Sequence, residues 1–163
     1  MNIGTAGSYD LSAYPIGKIV ITKTQQSGDL GFMTKNGFKS LFDAKILNAD
    51  LFPYKQGQLV ASELSPFFSE IFADIERVNG NTVQTITNDP KLIEQYKKLY
   101  DIESMEGSGV FYVCLSEHIN FVELRAISNS VGEEDRDKWQ NNIALDALYN
   151  SCKNFFKKLS GER

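Results

Sequence analysis

The sequence is poor in the side chains that bind metals or form disulfides. It contains two cysteines, Cys114 and Cys152, and one histidine, His118, in 163 residues. One histidine does not suffice for a zinc site of the usual His/Cys spacing and suggests no Ser-His-Asp triad. Both cysteines lie in apolar helical patterns, so we expect buried, reduced thiols. We therefore predict no metal and no cofactor, and we assign His118, Cys114 and Trp139 to packing.

The sequence also lacks an excess of basic charge and any long apolar run. The net charge is −4 and the pI is about 5.1. Nucleic acids and anionic membranes bind basic surfaces, so neither is an expected partner. No apolar run approaches membrane-spanning length, and residues 1–4 do not resemble the start of a signal peptide. These features predict a cytoplasmic protein.

What the sequence does contain is typical of one globular domain, which we place at residues 1–163. Hydrophobic residues make up 42% of the chain. Period-two and β-branched patterns predict strands at residues 17–22, 58–62, 81–87 and 121–128. Helical patterns are predicted at residues 65–75, 90–100, 110–115 and 136–159, with residues 24–38 as a loop. Alternating strands and helices indicate an α/β domain with a mixed, largely parallel central sheet.

The segment before the apolar run 110–115 carries a glutamate between small residues. Glu106 falls at or near a helix N-terminus, where free N–H groups and the macrodipole stabilise a carboxylate. Gly107 and Gly109 permit a close backbone approach by a ligand or by a neighbouring strand. The pattern fits two interpretations, an ordinary acidic helix start and a ligand-binding carboxylate.

Three polar elements follow predicted strands and should meet at one edge of the sheet. Residues 3–7 read as the end of a strand that runs into a glycine-containing loop, with Thr5, Ala6 and Gly7 able to present N–H groups. Met105 and Glu106 form the second element, and Asn129 is the third. Ligands of α/β sheets bind at the carboxyl ends of strands, so this convergence predicts a binding site.

Three strings of sequence together resemble a known superfamily. They are Ile3-Gly4-Thr5-Ala6-Gly7-Ser8, Glu103-Ser104-Met105-Glu106-Gly107 and Arg125-Ala126-Ile127-Ser128-Asn129. In this combination they are similar to the nucleoside phosphorylase/nucleosidase superfamily, and within it to the futalosine hydrolases of menaquinone biosynthesis. The resemblance covers essentially the whole chain. It implies a three-layer α/β/α fold, a homo-oligomer, and hydrolysis of the N-glycosidic bond of futalosine with release of hypoxanthine.

The resemblance also implies residue roles. Glu106 matches the acid that binds the ribose hydroxyls and Met105 the residue that packs against the sugar. Thr5, Ala6 and Gly7 match the loop beside the sugar and the attacking water. Asn129 stands where adenine-specific relatives carry a catalytic aspartate. Its amide can donate to the carbonyl of a 6-oxopurine, which favours hypoxanthine over adenine; the alternative is an asparagine that caps the next loop.

Two further substrate contacts are predicted with less support from the pattern. Thr85, in the predicted strand 81–87, is our choice for the platform beneath the purine. Arg136 is placed to pair with the benzoate end of futalosine, and the alternative is an arginine in solvent near the start of a helix.

The sequence departs from the superfamily at its beginning. The strand–helix–strand section that normally precedes the glycine loop is missing, and with it the glutamate that activates the water. We therefore expect little or no turnover from this chain alone. Two alternatives to a hydrolase remain, a non-catalytic purine or nucleoside binder and a nucleoside phosphorylase.

Overall fold

The computed structural model describes residues 1–161, so the last two residues of the predicted domain 1–163 lie outside the described part. The chain is a mixed α/β domain. Its strands are β1 (Asn2–Ser8), β2 (Ile19–Ser27), β3 (Gly31–Thr34), β4 (Gly37–Ser40), β5 (Tyr54–Lys55), β6 (Gln58–Val60), β7 (Arg77–Thr82), β8 (Ile102–Ser104) and β9 (Glu123–Ser130). Its helices are α1 (Pro66–Ile71), α2 (Pro90–Tyr96), α3 (Gly107–Ser116) and α4 (Asn141–Ser160).

Seven strands form the central sheet, in the order β5-β6-β2-β7-β8-β1-β9, and β9 pairs again with β2. Because of this second pairing, the strands β2, β7, β8, β1 and β9 close into a five-stranded barrel. The predicted mixed, largely parallel sheet is confirmed, because its two longest pairings, β1–β9 and β2–β7, are parallel. Within residues 1–161, β1–β9, β2–β7 and β7–β8 are parallel, whereas β1–β8, β2–β6, β2–β9 and β5–β6 are antiparallel.

Helices α4 and α1 cover one face of the sheet. Ala144, Leu148 and Phe155 of α4 are buried against Leu124 and neighbouring apolar residues. The predicted helix at the C-terminal end is confirmed, but it begins at Asn141 and not at residue 136. Not all apolar residues of this helical pattern are buried, because the side chains of Ile143, Phe156 and Leu159 are about half exposed.

Helix α3 packs at the opposite face. Alternate residues of a strand point to opposite sides, so Leu124 faces α4 while Glu123 and Arg125 face the start of α3. Gly107, the first residue of α3, leaves no room for a methyl group, which would lie 2.5 Å from Gln25 Cδ and 3.0 Å from Glu123 Oε1. Gly107 therefore permits the close approach of a neighbouring strand, one of the two roles that its position predicts.

Helix α2 begins where its capping residues predict. The side chain of Asp89 accepts a hydrogen bond from the Lys91 N–H, and Pro90 occupies the first helical turn, where its missing N–H costs nothing. The helix is shorter than predicted because it ends at Tyr96. Its buried side packs in a cluster of aromatic and apolar residues, Tyr9, Tyr96, Tyr100 and Val131.

Two predicted segments around β7 and β3 are wrong. The strand predicted at residues 81–87 ends at Thr82. Beyond it, the Asp29 carboxylate accepts hydrogen bonds from the backbone N–H groups of Gln84 and Thr85, which draws this stretch out of the sheet. The loop predicted at residues 24–38 instead contains the end of β2 and the hairpin β3–β4, whose last strand begins at Gly37 with φ of 108°.

Both cysteines are free and half-buried, where burial was predicted. His118 is exposed, and its ring stacks on Phe52 with a centroid separation of 5.6 Å. None of the helices within residues 1–161 combines the length and apolarity needed to cross a membrane.

The tyrosine cluster predicts a loss of stability at alkaline pH. Burial raises the pKa of Tyr96 and of Tyr100 from 10.0 to about 12. A raised folded-state pKa means that the stabilising contribution is complete below pH 10 and is lost as the pH rises to about 12. We expect the free energy of unfolding to fall across this range, and Tyr100→Phe to reduce the slope. Urea unfolding at several pH values measures how the free energy of unfolding depends on pH. If this dependence is the same in Tyr100→Phe as in the unaltered protein, the contribution of Tyr100 is contradicted.

The two glycines of α3 predict stability changes of opposite sign. Gly107→Ala places a methyl group against Gln25 and Glu123, so we expect a destabilisation of about 1–3 kcal/mol. Gly109→Ala is the matched control, because a methyl group there has no neighbour within 4 Å among residues 1–161. Alanine is the better helix former, and this change should stabilise by up to about 1 kcal/mol. Denaturant unfolding measures the change in the free energy of unfolding for each variant. Equal changes in Gly107→Ala and Gly109→Ala would contradict the close packing of Gly107.

Candidate functional site

A cavity of about 450 Å³ opens where β1, β8, β9 and the start of α3 meet. It brings together six residues that the sequence singles out for binding or catalysis. They are Thr5, Ala6, Gly7, Met105, Glu106 and Asn129. Thr85 and Arg136, also predicted to bind substrate, do not line this cavity.

The segment Thr5-Ala6-Gly7 is part of a strand and not a loop. Strand β1 continues to Ser8 between β8 and β9. Its pairing with β9 shifts by one residue at Ala6/Gly7, where Ser128 is passed over and Gly7 aligns with Asn129. A bulge of this kind re-aims side chains, and here it turns Asn129 toward the cavity.

Glu106 stands at one end of the cavity, at the predicted start of a helix. It is the residue before α3, and its side chain makes no capping hydrogen bond within the described structure. That side chain is 67% exposed, so the carboxylate is accessible to a ligand. The N–H of Ser108 is already bonded to Thr82 Oγ1 at 2.8 Å, which anchors the first turn of α3 to β7.

Arg125 lies beneath Glu106 and was not identified as a site residue from the sequence. Its side chain is buried, with Nη1 3.5 Å from Glu106 Oε2 and Nη2 3.1 Å from Glu123 Oε2. The guanidinium lies against Gly4, where any added methyl group would collide with it. The sequence did hold a signal for Arg125, namely an arginine inside the predicted apolar strand at residues 121–128. A buried arginine needs carboxylate partners, so this position indicates an ion pair in the interior.

The carboxylate that holds Arg125 is itself held by neighbouring strands. Glu123 is fully buried. It accepts a hydrogen bond from Gln25 Nε2 of β2 at 2.6 Å and another from Asn2 Nδ2 of β1. Arg125 is thus fixed from several sides, although its Nε has no hydrogen-bond partner among the described residues. This network fixes the position of the Arg125 guanidinium beneath Glu106.

Asn129 forms the opposite end of the cavity. Its Oδ1 accepts a hydrogen bond from Ser128 Oγ at 2.8 Å, and its Nδ2 donates to the backbone oxygen of Ser130 at 2.9 Å. One N–H of the amide therefore remains available to a ligand. The apolar side chains of Val83, Ile86, Val131 and Trp139 line the same cavity.

Trp139 was assigned to packing from the sequence, and the structure places it in this cavity wall. Its Nε1 donates to the backbone oxygen of Glu133 at 3.0 Å, which leaves the face of the indole as apolar surface. The sequence pattern placed Trp139 inside a long helix, whereas the chain turns at residues 136–138 before α4 begins.

A second carboxylate, that of Glu103, lines the cavity beside Gly7. It is buried and accepts hydrogen bonds from the hydroxyls of Tyr9 and Thr87 and from the Thr87 N–H. Burial and the negative charge of Glu103 raise the pKa of Tyr9 far above its ordinary value. Tyr9 therefore keeps its proton and remains a donor to Glu103.

The two predicted residues outside the cavity have other positions. Thr85 is exposed on the loop after β7, where its N–H donates to Asp29 Oδ2 at 3.0 Å. Arg136 is exposed in the short 3-10 helix Arg136–Lys138. Ile86 and Val83, from the same loop as Thr85, occupy the wall where we placed the platform for the purine.

The sequence is similar to curated futalosine hydrolases. It is 29% identical to the futalosine hydrolase of Acidothermus cellulolyticus over 154 residues, covering 89% of this chain and 59% of that protein. It is 28% identical to that of Streptomyces coelicolor over 148 residues, covering 91% and 60%. The chain therefore spans about three-fifths of the length of these relatives. No protein-family model matches the chain.

Solved structures with the same fold have related names. The futalosine hydrolase of Helicobacter pylori superposes with a TM-score of 0.70 at 16% identity, covering 97% of this chain and 66% of that one. The 5′-methylthioadenosine/S-adenosylhomocysteine nucleosidase of H. pylori, solved with butyl-thio-DADMe-Immucillin-A, superposes with a TM-score of 0.69 at 15% identity, covering 97% and 66%. At such identities the structures establish the fold alone. The chain is thus similar in sequence to futalosine hydrolases and shares its fold with these futalosine hydrolase and nucleosidase structures.

Proposed function

We propose that this chain binds a purine nucleoside and acts in hydrolysis of the N-glycosidic bond of futalosine, releasing hypoxanthine in the cytoplasm for menaquinone biosynthesis. One observation carries the proposal. A single cavity has an exposed carboxylate, Glu106, at one end and an amide in an apolar pocket, Asn129, at the other. These two ends fit the sugar and the base of a nucleoside.

The Glu106 end is suited to a ribose. A carboxylate accepts hydrogen bonds from vicinal hydroxyls, and those bonds strengthen as positive charge develops on an oxocarbenium-like sugar. Arg125 holds Glu106 in place through its Nη1, 3.5 Å away, while the backbone of Thr5 borders the same space. Met105, 45% exposed next to Glu106, offers an apolar surface for the sugar ring.

The Asn129 end is suited to a 6-oxopurine. The free N–H of the amide can donate to a carbonyl or to a ring nitrogen of the departing base, on which negative charge accumulates. The indole of Trp139 and the side chains of Val131 and Ile86 provide flat apolar walls for the ring. An aspartate in this position would repel the carbonyl of hypoxanthine.

The activation of water is the step with the least support in this cavity. Among the described residues, the carboxylates that line it are Glu103 and Glu106. Glu103 is bonded to Tyr9 and Thr87, and Glu106 is assigned to the sugar. This arrangement favours slow turnover by this chain alone and keeps a non-catalytic nucleoside binder as the second candidate.

Hydrolysis is preferred over phosphorolysis. A phosphorylase needs a cationic site for phosphate next to the sugar. Arg125 is the arginine that lines the described cavity, and both ends of its guanidinium already contact carboxylates, Glu123 and Glu106. Phosphate would have to displace one of them.

We predict that the chain binds futalosine and that Glu106→Gln weakens this binding about 10- to 100-fold, because charged hydrogen bonds to the ribose are lost. Isothermal titration calorimetry with futalosine, inosine and methylthioadenosine measures affinity, and chromatographic detection of hypoxanthine measures turnover. We expect futalosine to be preferred and its hydrolysis to be slow. Glu94→Gln, an exposed carboxylate on α2, is the matched control.

Three results would contradict the proposal or a part of it. Absence of binding by futalosine, inosine and hypoxanthine alike would remove the nucleoside site. Equal rates of cleavage of futalosine and methylthioadenosine would contradict the proposal that futalosine is the preferred substrate. Binding of futalosine without any detectable release of hypoxanthine would contradict hydrolysis and support the second candidate, a non-catalytic nucleoside binder.

We also expect the chain to associate as at least a homodimer. The outer side of α4 exposes Leu145, Tyr149 and Phe156, each more than half accessible, and large exposed apolar side chains in a row are typical of interfaces. Sedimentation equilibrium over a range of protein concentrations tests this expectation. A monomer at every concentration would contradict it.

A further inference from the structure

We infer that Glu103 recognises the base, by accepting a hydrogen bond from the N1–H of a 6-oxopurine whose C6 carbonyl accepts one from Asn129. The inference rests on the proposed function and adds to it a specificity-determining residue. Neither the sequence patterns nor the assigned roles of the cavity residues account for this buried carboxylate.

Strand pairing places Glu103 and Asn129 on either side of the same glycine. Gly7 of β1 is aligned with Glu103 on the antiparallel strand β8 and with Asn129 on the parallel strand β9. Directly aligned residues point to the same face of a sheet, so both side chains project to the face on which Gly7 has none. With strands about 4.8 Å apart, the two α-carbons are separated by about 10 Å.

Gly7 places no side chain between them, and the side chains of Asn129 and Val131 lie close over it. A methyl group on Gly7 would lie 3.1 Å from Asn129 Nδ2 and 3.1 Å from Val131 Cγ2, tighter than ordinary van der Waals contact. A flat ring in the cavity that Val131 and Trp139 line is therefore next to the side chains of both Glu103 and Asn129. One edge of the ring then faces a carboxylate and an amide.

The hydrogen bonds of Glu103 leave one acceptor position for a ligand. Oε2 accepts from the hydroxyls of Tyr9 and Thr87, the latter at 2.6 Å, whereas Oε1 accepts only the Thr87 N–H, at 3.1 Å, among the described residues. An ionised carboxylate has about four lone-pair positions, so the unused one is on Oε1. Tyr9 cannot be exchanged for a base, because it also accepts a hydrogen bond from Asn81 Nδ2 at 3.0 Å and is fixed.

This pair of groups distinguishes hypoxanthine from adenine. Hypoxanthine presents an N1–H donor next to its C6 carbonyl, which matches a carboxylate acceptor next to an amide donor. Adenine presents an unprotonated N1, whose lone pair would face the Glu103 carboxylate without a proton between them. A site built to bond a particular N–H rejects the analogue that lacks it, because the buried acceptor is left unpaired.

The test uses calorimetry of free bases with the whole chain, so that neither Glu106 nor turnover enters the result. For the unaltered protein we expect 1-methylhypoxanthine, which has no N1–H, to bind at least about tenfold more weakly than hypoxanthine. For Glu103→Gln, the carbonyl oxygen keeps the bonds of the Tyr9 and Thr87 hydroxyls on the Oε2 side, whereas the NH2 group replaces the oxygen that accepts from the Thr87 N–H and from the base. We then expect the preference for hypoxanthine over adenine to fall by about tenfold or more.

The outcomes separate this inference from the proposed function. Equal binding of hypoxanthine and 1-methylhypoxanthine, or an unchanged hypoxanthine-to-adenine ratio in Glu103→Gln, overturns the role of Glu103 while purine binding stands. Failure of the unaltered protein to bind any of the three bases overturns the proposed function and this inference with it. The comparison of hypoxanthine with 1-methylhypoxanthine uses the unaltered protein, so it tests the role of Glu103 even if Glu103→Gln fails to fold. Glu94→Gln serves as the matched glutamate control.

Discussion

The buried ion pair between Arg125 and Glu123 is the interaction on which the cavity depends. Removing two charges from water is costly unless both are fully bonded, and here the partners come from different parts of the chain. Gln25 of β2 and Asn2 of β1 donate to Glu123, while Arg125 reaches Glu106 at the start of α3. The pair therefore ties two strands and a helix terminus to β9, and it sets where the carboxylate at the sugar end can stand.

The same network explains why the first residue of α3 is glycine. Gly107 lies against the amide of Gln25, the group that holds Glu123. Backbone contact at Gly107 and the hydrogen bond from Ser108 to Thr82 fix the helix start in position and direction. Glu106 is left outside these contacts, with a side chain free for a ligand and the positive end of the helix behind it.

Much of the site followed from local sequence. The start of α3 after Glu106 and the Asp89-Pro90 cap of α2 are set by local sequence and are present. The strand predicted at residues 121–128 is also present as β9, although it continues through Asn129 to Ser130. Errors arose where distant groups decide the local structure. Asp29 draws Thr85 away from the sheet, and pairing with β8 and β9 keeps Thr5, Ala6 and Gly7 in a strand.

The sequence by itself determined the starts of α2 and α3, most of β9 and six of the residues that line the cavity, because caps, helix starts and strand patterns depend on neighbours a few positions away. Tertiary structure alone decided the parts played by Arg125, Glu103 and Trp139. Arg125 and Glu103 are polar side chains whose position is intelligible only through partners far along the chain, Asn2 and Gln25 for the first network and Tyr9 for the second. Burial of a charge is stable only where such partners converge, and convergence of distant segments is a property of the fold and not of any local pattern.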